Sequence, residues 1–140
     1  MPTELEKENL KPLEKEGYSK KAIEFYNDKV NVGIIADADV ALAYTGPCGD
    51  TLTLYLLISK EDVIENAQFQ YIGCPALAAC GSILTEIIKG KTIPDAKKIT
   101  QDLVLSELGV LPDEESHCAE LATTTLRRTI LKYEQNKKKT

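Results

Sequence analysis

Leu52-Thr53-Leu54-Tyr55-Leu56-Leu57-Ile58 is the stretch on which the fold turns. Leu52, Leu54, Leu56 and Ile58 share one face of a two-residue period, and Thr53, Tyr55 and Leu57 share the other, so the spacing predicts a half-buried strand. Downstream, the polar residues 59–62 make a turn, and Ala67, Phe69 and Tyr71 alternate with Asn66, Gln68 and Gln70 in a further strand. Upstream, Val40, Leu42 and Tyr44 alternate toward a turn at Gly46-Pro47-Cys48-Gly49-Asp50. Three such strands joined by polar turns read as an antiparallel meander.

At Gly73-Cys74-Pro75 the period changes. Leu77, Cys80, Leu84, Ile87 and Ile88 follow helical spacing up to Gly90, and Pro75 suits the first helical position. Short helical pieces follow near 94–99 and 101–108, and Gly109 and Pro112 interrupt them. A final helix is expected to start near 114–116, with Ala122, Leu126, Thr129, Ile130 and Tyr133 as its buried stripe. Before the strands, Ser19 reads as the N-cap of a helix carrying Ala22, Ile23, Phe25 and Tyr26, which Asn31 to Gly33 break. Strands first and helices afterwards give an α+β class, a three-stranded antiparallel sheet packed against several helices. The expected divisions are a flexible charged arm at 1–17, one folded domain at 18–136 and a basic tail at 137–140.

The chain has 140 residues, enough for one domain with its own core. Its net charge of -5 sets up a field that repels nucleic acid and anionic membrane. No run approaches the roughly 20 apolar residues of a membrane span, and the charged start lacks the apolar centre of a signal peptide. A cytoplasmic location is therefore expected. In a reducing compartment, 4 cysteines in such a domain point to metal or thiol chemistry and not to a disulfide frame.

Three of those cysteines fall where the chain turns. Cys48 sits in a glycine-rich turn, with the Asp50 carboxylate two residues on. Cys74 stands between a strand end and a helix start, where the helix N-terminus favours the thiolate that binds metal. Cys118 follows His117, the only histidine of the chain, in the first turns of the last helix. Cys80 instead shares an apolar helix face with Leu77, Leu84 and Ile87 and reads as core. Four thiolates would grip an iron–sulfur cluster firmly. Three thiolates with one harder oxygen or nitrogen ligand make a weaker, exchangeable site, and the same set suits tetrahedral zinc.

With these residues in view, the sequence resembles the IscU family, which also forms the N-terminal domain of NifU proteins. The resemblance runs from about Tyr18 to Tyr133 and rests on Tyr26-Asn27-Asp28-Lys29-Val30-Asn31-Val32-Gly33, Gly46-Pro47-Cys48-Gly49-Asp50, Phe69 through Gly73-Cys74, and Leu111-Pro112 followed by His117-Cys118. It implies a SufE/NifU-like sandwich and a scaffold, not an enzyme, that builds an iron–sulfur cluster and transfers it to apo-proteins. On that resemblance Cys48, Cys74 and Cys118 are the cluster ligands, Asp50 ligates metal or keeps the cluster labile, and His117 is an alternative ligand. Cys118 is then the persulfide acceptor. The cargo implied is a [2Fe–2S] cluster made from Fe2+, or [4Fe–4S] on a homodimer, with Zn2+ an occupant of the apo form. The partners implied are a cysteine desulfurase, a ferredoxin-type electron donor, frataxin in some systems, and recipient apo-proteins.

Two departures stand out. Where many members carry Leu-Pro-Pro-Val-Lys, a segment read by a dedicated DnaK-type chaperone, this chain has Leu111-Pro112-Asp113-Glu114-Glu115, which argues against that partner. Lys29 stands where the family has a proline. A zinc-binding persulfide carrier of the SufU type is the alternative, but that branch usually lacks the histidine and has a long insertion. Here His117 is present and only 44 positions separate Cys74 from Cys118. A cysteine hydrolase using His117 is disfavoured, because adjacent helical side chains point about 100° apart. A structural zinc domain would leave a ligand redundant.

Overall fold

The structure is a computed structural model that describes residues 20–47, 49–109 and 117–138. The arm at 1–17, the Ser19 cap, Cys48, the segment at 110–116 and the last two residues lie outside the described residues, as do the side chains of Ala22 and Tyr26. The order is α1 (Lys20–Asp28), β1 (Val40–Thr45), β2 (Thr51–Ile58), β3 (Ile64–Ile72), α2 (Pro75–Ile88), α3 (Ile93–Ala96), α4 (Gln101–Leu108) and α5 (His117–Lys138).

The meander forms as the alternation requires. The strands lie in the order β1-β2-β3, all antiparallel. Leu54 faces Leu42 on one side and Phe69 on the other, and Leu56 faces Val40 and Ala67. These pairs put Leu52, Leu54, Leu56, Ala67 and Phe69 on the inner face, all fully buried. On the outer face the polar residues satisfy one another. The Thr45 and Thr51 hydroxyls lie 2.8 Å apart, and the Tyr55 hydroxyl donates to Gln70 Oε1 at 2.8 Å. One shift in register at Leu57/Ile58 precedes the turn into β3.

Helix α2 forms the centre of the helical layer. Sequence spacing gave it a single apolar face, yet every residue from Ala76 to Thr85 is buried, along with Ile88. It is enclosed by β3 and by α1, α4 and α5, so that only its last turn, at Glu86, opens to water. The small residues Ala76, Ala78, Ala79, Gly81 and Ser82 permit this enclosure. A Cβ on Gly81 would sit 2.6 Å from the Phe69 ring, so β3 lies directly on the helix backbone. The Thr85 hydroxyl turns back to the Gly81 and Ser82 carbonyls, each at 2.8 Å, and so needs no solvent.

The segment after α1 is tied to this helix. Lys29 and Asn31 adopt φ of 49° and 62°, which turns the chain out of α1. The Asn31 amide then donates to Thr85 Oγ1 and Glu86 Oε1, both at 2.9 Å, and its oxygen accepts from Lys89 Nζ. Asn31 O takes the Phe69 N–H at 3.0 Å and Gly33 N donates to Phe69 O at 2.9 Å, which extends the edge of β3. Thus the Tyr26 to Gly33 motif spans strand and helix through Asn31.

Helices α3 and α4 are capped by Thr92 and Thr100, whose side chains accept from Asp95 N and Leu103 N. The expected stripe of α5 is buried at Ala122, Leu126, Thr129 and Ile130. Thr123, Thr125 and Thr129 are buried too, each donating to a carbonyl one turn back. Helix α5 runs on through Lys138, into what the sequence reading set apart as a basic tail at 137–140. Lys137 holds both Asp62 carboxylate oxygens, at 2.9 and 3.0 Å, and the Tyr133 hydroxyl reaches the same group at 2.7 Å. These donors, Lys137 foremost, hold the Asp62 carboxyl below its ordinary range. The helix end is thereby fastened to the β2–β3 turn.

Replacing Gly81 with alanine separates two opposing effects. Helix propensity alone favours alanine by about 1 kcal/mol, whereas forcing a methyl into the Phe69 ring costs roughly 1–3 kcal/mol or more. The Gly81→Ala protein is expected to be the less stable, with a thermal midpoint lower by several degrees in calorimetry.

Candidate metal and sulfur site

Three chain segments meet at one end of the sheet. The β1–β2 turn is closed by its own backbone, Gly46 N donating to Asp50 O at 2.9 Å and Gly49 N to Gly46 O at 3.0 Å. Gly49 takes φ of 87°, a conformation open to glycine at little cost. The β2–β3 ladder pairs Thr51 with Ile72, so the next residues outward, Asp50 and Gly73, are neighbours. A Cβ on Gly73 would lie 2.8 Å from Asp50 Cγ. The carboxylate thus rests on bare backbone directly before Cys74.

Cys74 is the N-cap of α2, with extended backbone (φ -83°, ψ 168°) and no capping hydrogen bond from its side chain. Its carbonyl takes the helix's first backbone bond, from Leu77 N at 3.1 Å. Pro75 at the first helical position removes an amide that would lack an intrahelical partner. The thiol therefore stands at the positive end of a 14-residue helix, where the helix field favours a thiolate. From the third segment, α5 contributes His117 and Cys118 in its first turn.

These side chains converge. Cys74 Sγ and Cys118 Sγ are 3.6 Å apart, and His117 Nε2 is 3.9 Å from Cys118 Sγ. One ligand atom each from Asp50, His117 and Cys118 lie within 4.8 Å of one another. Two thiolates on one tetrahedral ion, with metal–sulfur bonds of about 2.3 Å, stand ~3.8 Å apart. The Cys74–Cys118 separation already has that value to within a few tenths of an ångström. The set mixes soft sulfur with a carboxylate and an imidazole, a combination suited to holding metal without committing it permanently. Four of the five expected ligands, Asp50, Cys74, His117 and Cys118, are thus brought to one place, and Cys48 lies outside the described residues.

Cys118 and Cys80 are equally inaccessible, both fully buried, so burial does not separate a ligand thiol from a core thiol. Their neighbours do. Both lie in the apolar core cluster, but Cys118 also faces another thiol and an imidazole. Burial pushes the Cys80 thiol up to about 12, with a smaller push from the charge of nearby Cys74.

A cavity of about 170 Å³ opens beside the site, lined among others by Tyr44, Asp50, His117, Glu120 and Leu121. Sequence reading passed over Glu120 and Tyr44. Glu120 stands three residues after His117 on the same helix, a spacing that puts both on one face. Arg128 lies over the Tyr44 ring, 4.5 Å from its centroid, and holds it at the cavity wall. Gly73 was read only as a strand end, because its close approach to Asp50 depends on the ladder register.

The NifU-like N terminal domain family model matches residues 17–140. The chain belongs to this family. Two proteins of Archaeoglobus fulgidus named as iron–sulfur cluster assembly scaffold proteins IscU are each 44% identical over 117 residues, covering 83% of this chain and 76% of theirs. An IscU scaffold protein of Rickettsia prowazekii is 34% identical over 86% of this chain and 94% of its own. Among solved structures, the N-terminal part of a NifU-like protein from Brucella abortus has the same fold, with a TM-score of 0.69 at 18% identity, over 84% of this chain and 94% of that one. A SUF-system scaffold protein from Fervidobacterium islandicum superposes with a TM-score of 0.66 at 21% identity, over 81% and 96%. At those identities the likeness is one of fold, and it agrees with the α+β class read from the sequence.

The Cys80 environment has a pH signature. Below about pH 9 the thiol is protonated in both folded and unfolded chains and contributes no pH dependence. Between about 9 and 12 the unfolded chain ionises while the folded one does not, so stability falls as pH rises. A Cys80→Ala protein is expected to be less stable at neutral pH by about 1 kcal/mol, yet to lose less stability from pH 9 upward, as measured by denaturant unfolding.

Proposed function

We propose that this protein is a scaffold on which an iron–sulfur cluster, most simply [2Fe–2S], is assembled and from which it is passed to recipient apo-proteins. The observation that carries the reading is the meeting of Cys74 and Cys118 at 3.6 Å with Asp50 and His117 beside them, in a chain 44% identical to named IscU scaffolds. Ferrous iron enters at a subset of Cys48, Asp50, Cys74, His117 and Cys118. Sulfur arrives at Cys118 as persulfide from a cysteine desulfurase, and electrons come from a ferredoxin-type donor. The finished cluster is cargo held by the three thiolates and one harder ligand, Asp50 or His117, and it leaves when a recipient offers better thiolates.

The scaffold is not an enzyme in the turnover sense, and the relatives' names support that view. No helix among the described residues is long and apolar enough to cross a membrane, in keeping with work in the cytoplasm. A zinc-holding sulfur carrier is the weaker reading, since relatives above 30% identity bear the name of cluster assembly scaffolds.

Anaerobic reconstitution with ferrous iron and sulfide, followed by visible absorption and Mössbauer spectra, tests the proposal. A labile cluster that moves to apo-ferredoxin, and that is lost on substituting Cys48, Cys74 or Cys118, is the expected result. Tightly held zinc with no cluster would overturn it. Asp50→Ala is expected to lengthen the lifetime of the bound cluster about tenfold and slow its transfer. A shorter lifetime would remove Asp50 from the role of labile ligand.

A further inference from the structure

Resting on the scaffold reading, we infer that Cys74 and Cys118 act as a dithiol that reduces sulfur at Cys118 and releases it as sulfide. The pair is built for exchange. Each thiol sits at the start of its helix, Cys74 as the cap of α2 and Cys118 as the second residue of α5. Their sulfurs are 3.6 Å apart, close to the 3–3.5 Å of a near-attack pair. A disulfide needs a further approach of about 1.5 Å, which small side-chain rotations at two helix starts supply. Cys80, the other thiol near Cys74, belongs to the core and keeps its proton up to about pH 12, so it does not compete.

The reaction balances without an outside oxidant. When Cys118 carries a persulfide, Cys74 Sγ attacks Cys118 Sγ, the inner sulfur. A bond forms between the two cysteine sulfurs, and the bond from Cys118 Sγ to the outer sulfur breaks. The outer sulfur leaves with the electron pair and takes the Cys74 proton, departing as hydrosulfide. Cys118–S–S⁻ and Cys74–SH thus become a Cys74–Cys118 disulfide and HS⁻, with the Cys74 sulfur oxidised and the outer sulfur reduced. Two electrons and two protons, from a dithiol reductant or from two turnovers of a one-electron ferredoxin-class carrier, then restore the thiols. The disulfide ties up two metal ligands, so sulfide release and metal binding at this pair exclude one another until that reduction occurs.

The test uses the full-length metal-free protein loaded with glutathione persulfide and then desalted. Sulfide is measured with methylene blue, and crosslinks are located by non-reducing peptide mass mapping. Wild type is expected to release one sulfide per chain and to carry a Cys74–Cys118 bridge. Cys74→Ser should retain its persulfide and release sulfide at least about tenfold more slowly, whereas Cys80→Ala, which removes the core thiol outside the pair, should behave as wild type. Equally fast release from Cys74→Ser, or a bridge from Cys118 to Cys48, would overturn the inference. A glutathione redox titration of wild type needs no variant to fold and should give the same bridge; its absence would also overturn the inference. A chain that bridges and releases sulfide but never holds a transferable cluster would sink the scaffold reading and leave this chemistry standing. A chain that builds and transfers a cluster without bridging would do the reverse.

Discussion

The register of the β2–β3 ladder is the constraint on which the rest depends. Pairing Leu54 with Phe69 and Leu56 with Ala67 sends three large apolar residues and an alanine inward and sets the sheet's buried face. A slip of one position would turn the inward set of the displaced strand to water. The same register puts Thr51 against Ile72, and so sets Asp50 upon Gly73, immediately before the thiol of Cys74. The core and the site are therefore specified by one set of hydrogen bonds. Phe69 joins them physically, since its ring meets Gly81 of α2 while its backbone holds the loop at Asn31 and Gly33.

That arrangement shows what was legible in the sequence. Strands with one wet face advertise themselves by alternation, and Leu52 to Ile58 did so without ambiguity. Helix α2 was legible as a helix but not as a helix enclosed on all sides, because alanine, glycine and serine give no periodic signal while still admitting close neighbours. Cys74 and the His117-Cys118 pair could be read as chemical residues from their places at element starts, and Cys80 as core from its apolar spacing. Gly73, Tyr44 and Glu120 could not be read so. Their relevance comes from a ladder register, a cation over a ring and a cavity wall, all of which are tertiary facts. The basic end of α5 gives no sign in the sequence of its ion pair, because Asp62, the partner of Lys137, lies 75 residues away.

The two buried thiols show why a site cannot be inferred from burial alone. Cys80 and Cys118 are both sealed from water, yet Cys80 is held as an inert thiol while Cys118 stands beside the Cys74 thiol and the His117 imidazole. The difference lies in polar company. A thiol beside a second thiol, an imidazole and a carboxylate has several charged forms within reach, while a thiol among leucines and alanines has one.

A scaffold faces opposed demands, since it must bind well enough to assemble and poorly enough to release. This fold divides them among its segments. Asp50 and Cys74 are fixed by the sheet register and by a helix buried on every side, so their positions change only if the core does. Cys118 and His117 lie in the first turn of α5, whose far end is fastened through Lys137 and Tyr133 to Asp62, about four turns of helix away. On the function proposed above, soft thiolates favour assembly, and a carboxylate and an imidazole beside them limit how tightly the product is kept. Rigidity in the frame and mismatch among the proposed ligands thus fall on separate residues, and on that reading substitution at Asp50 or His117 changes cluster lability without disturbing the packing that holds the protein together.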